Sequence, residues 1–378
     1  MVRDGGGSET ALIRMIRRLA ADGWECHVAI SGPARLAAEY AAAGAVLHVV
    51  PLQRITSSGP SGRWLHFAWA WPVSVLRLAR LARRIDADVI HTNALHSLYG
   101  WAVAAVLRRP HVWHAREIVV QSSVALRLER FLAARFATVV IAISVAVAAQ
   151  LEPANVIEVT DEADPEEFSP ARAGTFRASL AIPDQAPLVG AATRIDTWKG
   201  VDVLLDAVPL MRRRHPDLEV VIAGGPVTGK EWYAADLQRR AGELGVRWLG
   251  VRHDVADLMA DLDVYVQAST EPEPFGLGLV EALASGVPVV ATAAGGPVEI
   301  LARLPPGAGR LVPRRDAGAL ADAVTDLLPH PASTTAGRRS RPRLRSPAQG
   351  RGDFTAVFDA VAAGGRSYRP GPARPSSS

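Results

Sequence analysis

Two carboxylates and two cations in the second half of this 378-residue chain carry its strongest chemical signal. Glu273 and Glu281 stand eight apart in "EPEPFGLGLVEALASG", on either side of an apolar turn made of Gly276, Leu277, Gly278 and Leu279. Arg194 and Lys199 lie in "VGAATRIDTWKG", and Gly295 and Gly296 in "ATAAGGPVEI". The three stretches are predicted to sit at carboxyl ends of parallel strands, where open α/β sheets bind ligands. Glycines there let backbone N–H groups approach a phosphate, and the start of a following helix adds positive potential. Arg194 and Lys199 would supply full charges for the same anion, and carboxylates beside it would suit ligand hydroxyls. Taken singly, each residue has a plain alternative. Glu281 fits the first turn of a helix, where the macrodipole favours any acid, and Arg194 and Lys199 could be surface charges. Their order along the chain is what argues for a site.

The elements that must hold these residues follow from periodicity. Short apolar, β-branched runs alternate with longer amphipathic segments, the pattern of βαβ units and parallel sheets. Strands are predicted at "CHVAIS", "VLHVV", "DVIHTN", "HVWHA" and "TVVIAIS" in the first half. In the second they fall at "LVGAAT", "LEVVIAG", "VRWLG", "DVYVQAS" and "VPVVAT". Helices are predicted at "SETALIRMIRRLAADG", "VSVLRLARLARRIDA", "VDVLLDAVPLMRRRH" and "DAGALADAVTDLL". The acidic, proline-containing "DEADPEEFSPARAG" has no strand character and places a boundary near residues 161–175. The expected plan is α/β: two Rossmann-like doubly wound domains over 1–165 and 166–330, then a tail over 331–378. That tail is basic and rich in Pro, Ser and Arg, is expected to be partly disordered, and has only "FTAVFDAVAA" as a helix. A doubly wound domain opens on an apolar strand, but here "GGGSE" comes first. The first strand of the N-terminal sheet is therefore expected to be missing, as in a truncated or misassigned start.

Composition narrows the class. Hydrophobic content of 49% and charged content of 21% suit a globular protein rather than a disordered one. A single cysteine, Cys26, rules out an internal disulfide and fits a reducing compartment. No signal peptide is visible and no apolar run is long enough to span a bilayer. A cytoplasmic protein is expected. Residues 331–378 hold nine Arg and two Asp, a net +7, and the whole chain is +4, so residues 1–330 carry 4 − 7 = −3. The body lacks the excess positive charge of a nucleic-acid binder. The stretch "RWLHFAWAWPVSVLRLARLARR" puts three tryptophans in eight residues before a basic helix. It reads either as a core-facing helix with solvated arginines, the preferred reading, or as a face for anionic lipid at the inner side of a membrane.

"RIDTWKG" followed by "EPFGLGLVEALASGVPVVATAAGGPVEI" resembles the signature of retaining GT-B glycosyltransferases of family four: E-x7-E around F-G, then G-x-P-V and G-G-x-x-E. The resemblance extends more weakly over about residues 5–330, through "GGSE", "DVIHTN", "VWHARE", "VIAISVAVAAQL", "VIEVTDEADPEEF" and "GRLVPRRD". It implies that Glu273 meets hydroxyls of a donor sugar and that Glu281 holds the ribose of its nucleotide. Arg194 and Lys199 would neutralise the diphosphate, and backbone at Val251 and Arg252 would meet the base. His114 would stand near the transferred sugar, and the loop at Gly6 and Gly7 would face the donor. The donor is a nucleotide diphosphate sugar, the acceptor a glycan or lipid-linked hydroxyl, and the chemistry needs no metal. The chain departs from the family at Asp161–Glu162, where Asn–Gly is usual and glycine permits a left-handed turn. With the missing strand, this leaves open a sugar-nucleotide-binding remnant, or a donor epimerase of the same architecture.

Other motifs are weaker. "GGPVTGKE" nearly spells a P-loop, the basis of a nucleotide-hydrolase reading, but Glu231 replaces the magnesium-binding Ser or Thr. The Asp-x-Asp pairs in "DADVIH" and "DLDVYV" directly precede strands, which favours turn residues over metal ligands. His91 and His96 lie five apart, off helical ligand spacing.

Overall fold

A computed structural model describes residues 7–32, 36–52, 62–120, 122–151, 155–302, 304–329, 334–344 and 352–364, with 62–68 described by backbone alone. The chain divides into two compact units, Met1–Thr160 with Arg351–Ser378, and Asp161–Gly350. Neither Asp161 nor Glu162 adopts a positive φ, so the left-handed turn that glycine would permit is not used there.

Unit 1 holds six strands: β1 Cys26–Ile30, β2 Ala45–Val49, β3 Ile90–Thr92, β4 His111–Ala115, β5 Val139–Ala142 and β6 Val156–Glu158. All pair in parallel, β1 with β2 and β3 to β6 in sequence order. Among the described residues no strand joins the two sets, so the sheet is in two pieces. Helices bridge them instead. On the helix Gly7–Ala21, Met15 and Leu19 pack with Val112, Val139 and Ile141 of the larger piece, while Ile13 and Ile16 pack with Tyr40 and Ala45 beside the smaller. The helix Phe354–Ala362 adds Phe354, Val357, Phe358 and Val361 to the first of these clusters. Asp353 caps it, accepting from the Thr355 N–H at 3.0 Å.

Unit 2 is a six-stranded parallel sheet: β7 Leu188–Ala192, β8 Glu219–Ala223, β9 Arg247–Gly250, β10 Val264–Gln267, β11 Val289–Thr292 and β12 Gly309–Val312. The order is β12-β11-β10-β7-β8-β9. Strand order reverses between β7 and β10, which makes their carboxyl ends the switch point where such sheets bind ligands. The central strands are buried on both faces, as their unbroken apolar runs require. The short edge strands β6 and β12 were not among those predicted.

Within the tail, residues 334–344 include a helix that was not among those predicted, Thr335–Arg339, whose Arg338 is wholly buried. Arg338 pairs with Asp184, and Arg341 donates to Asp263 Oδ1 at 2.7 Å. Asp263 Oδ2 also accepts from Arg177 at 2.8 Å and from the Leu188 N–H at 3.0 Å. Asp261 accepts from the Gly174 and Arg177 N–H groups at 2.5 and 2.9 Å. Two of the tail's arginines, Arg338 and Arg341, thus pair inside unit 2 with acids of the body. Asp263→Ala removes the direct ion-pair partner of Arg177 and Arg341 and should cost about 3–5 kcal/mol. By calorimetry that is a fall of roughly 6–20 °C in the unit 2 midpoint, and an unchanged midpoint would show the arginines finding other partners.

Candidate active site

Residues from three loops meet at the switch point of unit 2. The loop after β7 is stitched to the loop after β8: the Ile195 N–H donates to Gly225 O at 2.8 Å and the Val227 N–H to Ile195 O at 3.2 Å. It ends at Gly200, with φ 68°, where any Cβ would collide with the Ala268 carbonyl just past β10. That approach delivers Lys199 to the next loop. Lys199 Nζ donates to Glu273 Oε1 at 3.0 Å and Oε2 at 2.8 Å, and lies 4.0 Å over the Trp198 ring centroid. Ser269 Oγ donates to Glu273 Oε2 at 2.9 Å. Glu273 is buried and fixed from its backbone as well, bridging to Gly295 and accepting from the Gly296 N–H at 2.8 Å.

That last bond corrects an expectation. Cβ atoms on Gly295 and Gly296 would collide with backbone of Glu273 and Phe275. The two glycines therefore let two chain segments touch, and the Gly296 N–H is consumed by protein rather than left for a phosphate. The amides left over are elsewhere. Gly276, with φ 104°, caps the helix Leu277–Ala284, and the N–H groups of Leu277 and Gly278 have no partner among the described residues. Gly278 must lack a side chain because a Cβ would strike the Tyr265 hydroxyl, which donates to Ala192 O at 3.1 Å.

Glu281 is the fifth residue of that helix, past the first turn, so the macrodipole does not account for it. It is buried. Burial pushes the Tyr265 phenol up, and the charges of Glu281 and then Glu273 push it further. The charges of both carboxylates therefore reach one phenol. Arg194 is half-buried and makes no ion pair among the described residues. Asp196, two residues on, is raised by burial but held low overall by the Lys230 ammonium, its own loop amide and the Arg194 charge. Lys230 Nζ pairs with Asp196 and donates to Thr197 Oγ1 at 3.0 Å. The lysine of the near-P-loop is thus a brace for the Arg194 loop. A Cβ on Gly224 would collide with Thr193 O, so that glycine too serves close chain contact.

A groove of about 490 Å³ runs between Gly224–Pro226, the helix Glu231–Glu243 and the end of β9. Its size is in the range of small-molecule sites. Val251 borders it and is largely exposed, whereas the Arg252 guanidinium is taken up by Asp254, with Nε 2.7 Å from Oδ1.

Unit 1 treats its expected residues differently. Gly6 lies outside the described residues, and Gly7 opens a helix rather than a loop. His114 is in β4, opposite Ile141, with no exposed surface and no partner on either ring nitrogen; its ring packs on His91 and Phe354. A ring sealed this way touches no ligand, so we assign His114 to the core. At the carboxyl end of β4 stands Arg116 instead, also buried, with Nε donating to Asn93 Oδ1 at 2.8 Å. Neither residue was singled out from sequence, although the rule that sites form at strand carboxyl ends would have pointed to both.

The Asp-x-Asp pairs are both committed to arginine: Asp86 and Asp88 to Arg109, Asp261 and Asp263 to the tail cluster. Among the described residues no three His, Cys, Asp or Glu side chains converge as metal ligands would.

Two parallel-sheet α/β units, with a lysine–glutamate clamp and a helix start at the switch point of the second, fit the GT-B class of glycosyltransferase. The family model "Glycosyltransferase Family 4" matches residues 5–159 and "Glycosyl transferases group 1" matches residues 186–330. The chain is 32% identical over 277 residues to the GDP-mannose-dependent alpha-(1-6)-phosphatidylinositol monomannoside mannosyltransferase of Mycolicibacterium smegmatis, covering 70% of this chain and 67% of that protein. It is 37% identical over 190 residues to a D-inositol 3-phosphate glycosyltransferase of Corynebacterium urealyticum, covering 46% of this chain and 43% of that relative. A solved structure of Anabaena HepE with UDP and glucose is 26% identical, with a TM-score of 0.75 and coverage of 90% of this chain and 92% of that one. The chain belongs to the family-four, group 1 glycosyltransferases.

Proposed function

We propose that this enzyme moves a hexose from a nucleotide diphosphate sugar to a hydroxyl of a glycan or lipid-linked acceptor, with retention, in cell-envelope polysaccharide or glycolipid synthesis. The observation that carries the reading is the Lys199–Glu273 clamp at the switch point, beside the amides of Leu277 and Gly278 that have no partner among the described residues. Those amides, with Arg194 and Lys199, meet the diphosphate, where charge grows as the sugar leaves. Glu273, held by Lys199 and Ser269, takes the sugar hydroxyls, and Glu281 the ribose. Val251 and its groove take the base. The bond from the anomeric carbon to the phosphate oxygen breaks as the acceptor oxygen attacks the same face, and the acceptor proton passes to the departing phosphate oxygen. No metal enters this scheme, since the charge is met by protein groups. The named relative uses GDP-mannose and the solved neighbour holds UDP, so both bases enter the test. No described helix is long and apolar enough to cross a membrane. We place the protein in the cytoplasm, reaching a lipid-linked acceptor from the inner face.

Calorimetric titration with GDP- and UDP-sugars tests this. Glu281→Ala should weaken donor binding by about 10- to 100-fold, the loss of a hydrogen bond to a charged group. Glu273→Ala should lower turnover more than affinity. Donor binding and transfer both intact in the two variants would remove the site assignment. The two-piece sheet of unit 1 favours one further reading, donor binding without transfer, which unchanged titrations with no product would support.

A further inference from the structure

Three helices of unit 1, Gly62–Arg84, Gly100–Leu107 and Ser123–Phe136, pack in one layer, the second between the other two. Each buries one stripe: Val75, Ala79 and Ala82 on the first, Ala102 and Val103 on the second, Leu132 and Ala133 on the third. Opposite the buried stripe a solvated helix is polar. These are not. Trp69, 81% exposed, Val73 and Leu76 follow at spacings of four and three, and the same face continues through Arg80 and Arg83, with Arg77 and Arg84 alongside. The third helix repeats the arrangement with Val124, Leu128 and Phe131, flanked by Arg127 and Arg135. Val106 and Arg108 are exposed at the end of the helix between them.

The charge is of one sign. The three helices contain a single carboxylate, Glu129, which is buried and bonded to His96 at 2.6 Å. Just beyond the first helix, Asp86 and Asp88 are both occupied by Arg109. Exposed apolar side chains spread over adjacent helices, ringed by cations with no acid lacking an arginine partner among the described residues of the face, match the boundary between anionic headgroups and acyl chains. Tryptophan favours that boundary. A phosphate backbone would use the arginines but leave the Val, Leu and Phe side chains with nothing to pack on.

We propose that this three-helix face docks on an anionic lipid bilayer, its apolar residues entering the headgroup–acyl boundary and its arginines pairing with lipid phosphates. The test is flotation of the full chain with phosphatidylcholine vesicles, with and without about a third phosphatidylglycerol. Binding should appear only with the anionic lipid and weaken as salt is raised. Reversing Arg77, Arg80, Arg83 and Arg84 to Glu should weaken it at least a hundredfold, and Trp69→Ser with Phe131→Ser at least tenfold. All six side chains are exposed, so thermal midpoints and nucleotide-sugar affinity should hold in both variants. Failure of the wild-type chain to float, equal flotation with neutral vesicles, or variants that float like the wild type would each overturn the proposal. Donor titration is a separate readout, so the docking face and the donor site stand or fall independently.

Discussion

Acidification from pH 7 to pH 5 should destabilise unit 1 by about 4 kcal/mol through His111 and His114 alone. Burial pushes the His111 imidazole down to about 3 and His114 well below its ordinary value, the latter aided by the Arg116 and His91 charges. His111 Nε2 bonds Thr92 Oγ1 at 2.8 Å, but its Nδ1 and both nitrogens of His114 are sealed without partners. Unfolding returns each ring to an ordinary pKa near 6.5, which is worth about 2 kcal/mol per ring at pH 5. The folded values are depressed, so stability is complete above pH 6.5 and is lost as pH falls toward the folded values. His91, lowered to about 3, acts in the same sense. His96 acts in the opposite sense: its bond to Glu129 raises it, so its contribution is present below pH 6.5 and fades above. Its half-exposed ring makes that term the smaller. The calorimetric midpoint against pH checks this. His114→Phe should recover about 2 kcal/mol at pH 5, and a wild-type midpoint that stays level between pH 7 and 5 would contradict the sealed core.

Lys199→Ala should lower the transfer rate by about 10²- to 10³-fold, the usual cost of removing one preorganised group at a developing charge. It should also cost about 3–5 kcal/mol of stability, because among the described residues the buried Glu273 carboxylate then keeps only Ser269 as a side-chain donor. The two effects separate in a cycle with Glu273→Ala. The double variant leaves no unpaired buried charge, so its midpoint should return toward that of the wild type while transfer stays lost. Recovery of transfer together with stability would make the Lys199–Glu273 pair a strut for the loop, with no part for either side chain in the transfer.

Much of the fold was legible because parallel strands buried on both faces read as unbroken apolar runs. "LEVVIAG" and "DVYVQAS" are β8 and β10 nearly to the residue. The candidate site was legible as a set of loops at strand ends, since Lys199 and Glu273 lie after β7 and β10 whatever the details of packing. What each residue does there was less so. Gly278 answers to the Tyr265 hydroxyl, Gly295 and Gly296 to the backbone of the Glu273 turn, and Lys230 to Asp196. None of these partners is near in sequence.

His114 and Arg338 show the same limit from opposite directions. The resemblance implies a functional histidine at His114, and an arginine in a Pro-rich tail reads as solvated. Packing against Phe354 and His91 seals the first, and Asp184 with the Asp261–Asp263 pair draws the second into unit 2. Periodicity and residue type determined the strands, the helices and the strand ends where a ligand could bind, because those depend on neighbours one to four residues apart. The tertiary structure alone decided which charges are paired and which amides are left over. Bonds such as Lys199–Glu273 or Arg338–Asp184 join residues far apart in the chain, and only the path of the backbone brings them within reach.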